Sequence, residues 1–259
     1  MSRHTDRAAL TMNAPIERTH WEIFGSVASL AVVGAIDPDG LQDAQLALTE
    51  IDERLSPWRA ESEISRIRDS TLALIDADPR TQAVLAACES LRLESDGYFD
   101  ARSAGSDGGL DPSGLVKGLA IGAAHQLLRA ARMSNSAFGI GGDISASGNG
   151  PGGVGWVVGI SDPLHRDQAF TRVALRDCAI ATSGETERPG HLRGRSISPW
   201  LSVSVVGPSI ERVDALATIL YLEGAEGMAR IEREPDTEAL AIDRAGHAVR
   251  SSGFAALEV

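Results

Sequence analysis

Apolar and polar positions alternate along "WEIFGSVASLAVVGA" (residues 21–35), and a period of two rich in Val and Ala predicts a strand. "DPDG" (37–40) predicts a turn. From Leu41 the period lengthens. Leu41, Ala44, Leu48, Ile51 and Leu55 recur every three or four positions, which predicts a helix. "SPWRAESEISRIRDS" predicts a break and a short polar helix. "PRTQAVLAACESLRLESDG" (79–97) has a proline near its start and Gly97 past its end, the punctuation of a helix. Residues 100–112, "DARSAGSDGGLDP", predict a loop, and Ser113 to Met133 a third long helix.

The second half changes character. "SAFGIGGDISASG", "GVGWVVGISDP", "AFTRVALRD", "CAIATSGE" and "PWLSVSVVGP" predict short strands with tight turns, and "NGPGG" predicts a hairpin loop between the first two. "VDALATILYLEG" (213–224) predicts a short apolar helix, followed by another at about Glu226 to Glu232. "EALAIDRAGHAVRSS" predicts a closing hairpin around "DRAGH". Helices first and hairpin-linked strands later predict an α+β fold with antiparallel sheets flanked by helices, not a doubly wound parallel sheet. No repeat or long linker marks a boundary. Residues 20–259 are expected to form a single domain and residues 1–19 a flexible tail.

Composition narrows the function. The 259 residues are 43% hydrophobic but only 4% aromatic, so Ala, Val, Leu and Ile must fill the core. A formal net charge of -12 argues against non-specific binding to nucleic acid or an anionic membrane. It leaves room for a phosphate held locally by backbone N–H groups, one Lys and a divalent cation. Cys88 and Cys178 have neither metal nor redox spacing and are expected to be reduced, buried thiols. "MSRHTDRAALTMNAPIERTH" lacks an apolar signal region, and no stretch approaches the ~18 apolar residues of a membrane span. The cytoplasm is the expected location.

Four stretches carry candidate chemistry. In "DPSGLVKGLAIG" (111–122), glycines and Lys117 stand at a helix entrance, where free N–H groups suit a phosphate. A glycine-rich loop with an exposed Lys explains the same residues. "GIGGDISASG" (139–148) lacks the spacing of a dinucleotide-binding loop and reads as strand. Its glycines are expected to let a backbone or a flat ligand come close. "ATSGETERPGH" (181–191) ends in His191 and makes no inferable triad with Ser183 and Glu185. In "VDALATILYLEG", Asp214 and Thr218 are four apart and share one helix face. They are either ordinary first-turn residues or two oxygen ligands for a hard cation such as Mg²⁺.

These stretches occur in an order that resembles the ApbE family of FAD:protein FMN transferases. The resemblance runs from about Trp21 to Ile242. Seven segments carry it: "FGSV", "SPWRAESEISRIR", "GYFD", "DPSGLVKG", "GIGGDISASG", "ATSG" and "VDALATILYLEG". Each is modest alone; seven in order are specific. The resemblance implies a T-fold-like α+β architecture and Mg²⁺-dependent transfer of FMN from FAD to a Thr of an acceptor protein, with release of AMP. It implies FAD contacts at Phe24, Trp58, Tyr98, Phe99, Asp100, Asp111 and Lys117. It implies Mg²⁺ ligation by the Gly114 carbonyl, Asp214 and Thr218. Catalytic roles fall to Asp214, as metal holder, and to His191, in proton handling or positioning.

The chain also departs from the family pattern. Phe24 stands where a Met is usual, Trp58 where a Tyr is, Val116 where an Ala precedes the Lys, and Gly122 where an Asp is frequent. The segment after His191 reads "LRGRSISPW", shortened and without the family's Asp-Pro. Two other readings therefore stand beside the transferase: an FAD-binding carrier or sensor without transferase activity, and an FAD pyrophosphatase giving FMN and AMP.

Overall fold

The computed structural model describes residues 15–102, 109–184 and 198–259. The apolar run expected to be one strand folds into two, β1 (Ile16–Ile23) and β2 (Ser26–Val33). Phe24 and Gly25, at φ 55° and 64°, form the two-residue turn between them, and Ile23 pairs with Ser26. Positive φ at both central positions is what a tight hairpin requires. It costs Phe24, which has a Cβ, on the order of 1–2 kcal/mol. Strand β1 also takes in residues 16–19, which the pattern had placed in the tail.

Asp37 opens a helix instead of a turn. Its Oδ1 accepts from the Gly40 N–H at 2.7 Å and caps α1 (Pro38–Leu55), with a proline in the first turn. A short α2 (Glu63–Arg68) and α3 (Pro79–Glu94) follow, and then α4 (Ser113–Ala130).

The remaining chain supplies the other strands. The glycine-rich run divides into β3 (Ser136–Ile140) and β4 (Asp143–Ser147), with Gly141 at φ 62° in the turn. The strands β5 (Trp156–Ser161), β6 (Ala169–Leu175), β7 (Cys178–Gly184) and β8 (Trp200–Gly207) come next. Helices α5 (Ile210–Glu223) and α6 (Met228–Ile231) precede β9 (Glu238–Asp243) and β10 (Ala248–Arg250). Eight strands form one sheet in the order β1-β2-β3-β4-β7-β8-β9-β10, antiparallel at every pairing. The expected antiparallel α+β class is the one observed. The residues of "NGPGG" do not make a hairpin, because β4 and β5 belong to different sheets, and among the described residues β5 pairs with β6 alone.

The period of two assigns the layers. Ala28, Leu30 and Val32 of β2 face α1, α4 and α5, while Ala31 and Val33 face the β5–β6 ribbon. On β8, Val203 and Val205 join the helical side and Val206 the ribbon side. Strand β8 is covered on both faces, so even the serines that alternate with its valines, Ser202 and Ser204, are buried. Helix α5 is buried from Val213 to Leu222, wedged between the sheet and α4.

Candidate functional site: the α4–α5 junction

Three glycines bring α4 against α5. Gly114, Gly118 and Gly122 are four apart and lie on one face of α4. A Cβ on Gly118 would meet Asp214 Cβ at 2.9 Å, Glu211 Cα at 3.0 Å and the Ile210 carbonyl oxygen at 3.0 Å. A Cβ on Gly122 would meet Glu211 Oε1 at 1.9 Å, and one on Gly114 would come within 3.7 Å of Thr218 Cγ2. At Gly122, where the family often has Asp, the end of the Glu211 side chain lies in the space a Cβ would take.

Asp214 and Thr218 are not first-turn residues. Ser209 caps α5 and accepts from the Arg212 N–H, so Asp214 lies beyond the first turn. Asp214 is 4% exposed and Thr218 6%. Asp214 Oδ2 accepts from the Gly118 N–H at 2.7 Å. Burial pushes the Asp214 carboxyl above the usual carboxylate range, and the neighbouring Asp143 carboxylate pushes it further. Lys117 and the Gly118 N–H act in the opposite direction. Thr218 Oγ1 lies 3.3 Å from Ser183 Oγ of β7.

Asp143 completes the group. It is fully buried at the start of β4, and its Oδ2 lies 2.6 Å from Lys117 Nζ. Its Oδ1 accepts from the Thr182 N–H at 2.9 Å. The register of β4 with β7 runs only from Ile144 to Ala146, so the Asp143 side chain supplies Thr182 with an acceptor beyond the last paired position. Asp143 is not among the residues singled out from sequence, and Ser183 appears there only as a triad partner that the spacing does not support. The available signal for Asp143 was a single carboxylate after a double glycine; its partners come from other elements.

The remaining candidates are distributed around this junction. Phe24 is half-buried and packs on the cluster that holds Leu55, Ile64 and Val116. Phe99 is 3% exposed, and its ring lies beneath Gly114, at 3.1 Å from the position of an added Cβ. It supports the entrance of α4 and has almost no surface left for a ligand. Asp111 Oδ1 accepts from the Ser113 N–H at 2.9 Å and so shapes that entrance. Tyr98 is half-buried. Asp100 accepts from the Arg102 backbone N–H and Nε at 3.1 and 3.3 Å. Trp58 is 66% exposed in the link between α1 and α2, with its ring open to solvent. His191 lies outside the described residues. Among the described residues, Cys88 and Cys178 are free thiols. Cys178 is only half-buried, against expectation, while burial pushes Cys88 up to about 12.

The junction can take a hard cation. Asp214, Thr218 and the Gly114 carbonyl offer oxygen of the kind Mg²⁺ prefers, and Mg²⁺ often needs only one or two protein carboxylates. Among the described residues no three His, Cys, Asp or Glu side chains group to hold a metal. A site here would be of the mixed carboxylate, hydroxyl and carbonyl kind. Asp214 and Asp143 place two carboxyl groups around one ammonium, a charge balance that a divalent ion would offset.

The fold as a whole, antiparallel sheet with helices packed on it, is similar to that of solved flavin transferases. The flavin transferase ApbE of Vibrio cholerae superposes with a TM-score of 0.78 at 21% identity, over 94% of this chain and 100% of that one. The ApbE protein of Thermotoga maritima superposes with a TM-score of 0.80 at 18% identity, over 95% and 100%. In sequence, a curated FAD:protein FMN transferase of Treponema pallidum (strain Nichols) is 33% identical over 156 residues, 51% of this chain and 43% of that protein's length. The ApbE family model matches residues 24–105 and 101–241, and the chain belongs to that family. No helix among the described residues is long and apolar enough to cross a membrane.

Proposed function

We propose that this protein is an Mg²⁺-dependent FAD:protein FMN transferase that moves FMN from FAD to a Thr hydroxyl of an acceptor protein and releases AMP. The observation that carries this reading is the meeting of Asp214, Thr218, Gly114 and Lys117 at the α4–α5 junction of an ApbE-family chain. The residues came from separate segments of the sequence, and the packing of two helices brings them together.

Asp214, Thr218 and the Gly114 carbonyl would hold the ion. A divalent ion there supplies positive charge against the diphosphate bridge of FAD. Lys117 adds a further positive charge on the same side. The exposed ring of Trp58 and the half-buried Tyr98 and Phe24 are the aromatic surfaces for the flavin and adenine rings. In the transfer, a bond forms between the acceptor Thr oxygen and the FMN phosphorus. The phosphorus–oxygen bond to AMP breaks, and the Thr proton passes to a base. His191 is the candidate for that base. Mostly the protein positions the groups and neutralises charge.

Incubation with FAD, Mg²⁺ and a panel of purified acceptor domains tests this reading by intact-protein mass spectrometry. An acceptor mass increased by one FMN, with AMP in equal amount, supports it. Free FMN with AMP and no adduct selects the pyrophosphatase. Bound, uncleaved FAD selects the carrier or sensor.

A further inference from the structure

Lys117 is the only lysine in the chain; the other members of its 24 Lys and Arg residues are all Arg. Arg stands wherever the protein needs a surface cation, and the single ammonium stands at the α4–α5 junction. A guanidinium is a flat fork with five donors, whereas an ammonium is a compact point charge on a flexible stem. A flexible stem needs something to hold its end in place.

We propose that Asp143 is that holder: a positioning residue whose carboxylate fixes the Lys117 ammonium beside Asp214, ready for the diphosphate of the nucleotide. Three observations converge on it. Asp143 is fully buried, while Lys117 is 31% exposed in its side chain, so the carboxylate is the fixed partner and the lysine the one that reaches solvent. The carboxylate is itself clamped, because Oδ1 takes the Thr182 N–H at 2.9 Å and leaves Oδ2 toward Nζ at 2.6 Å. The strand beside it packs tightly. A Cβ on Gly139 would meet the Asp143 carbonyl oxygen at 2.4 Å, so β3 and β4 are in close backbone contact there. The link from Thr182 through Asp143 to Lys117 transmits the rigidity of the sheet to a side chain on a helix. The part of the proposal that concerns nucleotide rests on the flavin reading above. The holding of Lys117 does not.

The experiment uses the single lysine. Protein labelled with ¹⁵N-lysine gives one side-chain Nζ signal, from Lys117, in the ligand-free state. An ammonium held by a carboxylate exchanges its protons slowly enough for that signal to be seen. Asp143→Asn keeps an oxygen for the Thr182 N–H and removes the charge facing Lys117, together with the repulsion that Asp143 exerts on Asp214. The expected result is a visible signal in the wild type that is lost or displaced in Asp143→Asn, with the melting transition still cooperative. Dissociation constants for ADP with Mg²⁺ are then measured for the wild type, Asp143→Asn, Lys117→Ala and the double variant. Asp143→Asn weakens ADP by about ten-fold, the scale of one charge-assisted contact. The double variant is no weaker than Lys117→Ala alone, because both changes remove one function. An Nζ signal unchanged in Asp143→Asn overturns the proposal, as do losses that multiply in the double variant. If the wild type binds neither ADP nor FAD, the flavin reading fails while the Nζ signal still decides the role of Asp143.

Discussion

The Gly118 N–H donates to Asp214 Oδ2 at 2.7 Å, across 96 positions of sequence. This bond joins the backbone of α4 to the carboxylate of α5 and sets the direction in which Asp214 points. It exists because Gly118 has no side chain. Gly118→Ala places a methyl 2.9 Å from Asp214 Cβ and 3.0 Å from two backbone atoms of α5. The better helix propensity of Ala returns up to ~1 kcal/mol, and the overpacking costs about 1–3. The expected outcome is a net loss of about 1–2 kcal/mol, read from the midpoint of urea unfolding, with Mg²⁺-dependent activity lost more than stability.

Asp214 is costly to fold around. Its carboxyl is buried next to Asp143, and replacing a buried charge that lacks full compensation is often neutral or stabilising. Asp214→Asn retains an acceptor for Gly118. The metal-free variant should be more stable than wild type by about 1 kcal/mol, a rise in Tm of a few degrees. Added Mg²⁺ should raise the Tm of the wild type and leave that of the variant unchanged, since only binding to the folded state stabilises it. An equal rise in both would remove Asp214 from the metal site.

His125 predicts the acid limb of stability. Its ring is buried, with Nδ1 2.8 Å from Ser145 Oγ and Nε2 3.0 Å from Ser136 Oγ. Burial, aided by Arg129, lowers it to about 4. The neutral ring is therefore the folded form, and the unfolded chain takes up a proton first as pH falls. This contribution is fully present above about pH 6.5, declines down to about pH 4 and is constant below, for a total of about 3 kcal/mol. The stability difference between wild type and His125→Asn, measured by urea unfolding from pH 7.5 to 4.5, should narrow as the pH falls. A difference that stays constant with pH would mean that the folded ring takes up its proton normally.

Lys117→Arg keeps the charge and changes its shape. A forked guanidinium cannot place one point charge 2.6 Å from Asp143 Oδ2 in the same space. Flavin transfer should fall by at least about ten-fold, while Arg230→Ala, which breaks an ion pair with Glu223, should leave it unchanged. An Arg variant with full activity would show that only the charge matters.

The legible parts of the sequence were those in which local spacing and function coincide. Asp214 and Thr218 are four apart, so one helix face contains both wherever that helix lies. The antiparallel class followed from runs of short strands punctuated by glycine. The hairpin within residues 21–35 was hidden because Phe-Gly is a poor turn signal and Phe resists positive φ. The Asn149–Gly153 link looked like a hairpin, but tertiary packing sends β5 to a different sheet. Asp143 was illegible as a site residue for a related reason. Its partners Lys117 and Thr182 come from a helix and a strand that only the folded chain brings together.

The most direct test is AMP release from FAD with and without Mg²⁺, measured by chromatography on wild type and Asp214→Asn in the presence of an acceptor domain. Mg²⁺-dependent AMP from the wild type, matched mole for mole by flavinylated acceptor and absent from Asp214→Asn, is the predicted result. Equal AMP from both proteins, or AMP formed without a divalent ion, would contradict a cation held at the α4–α5 junction.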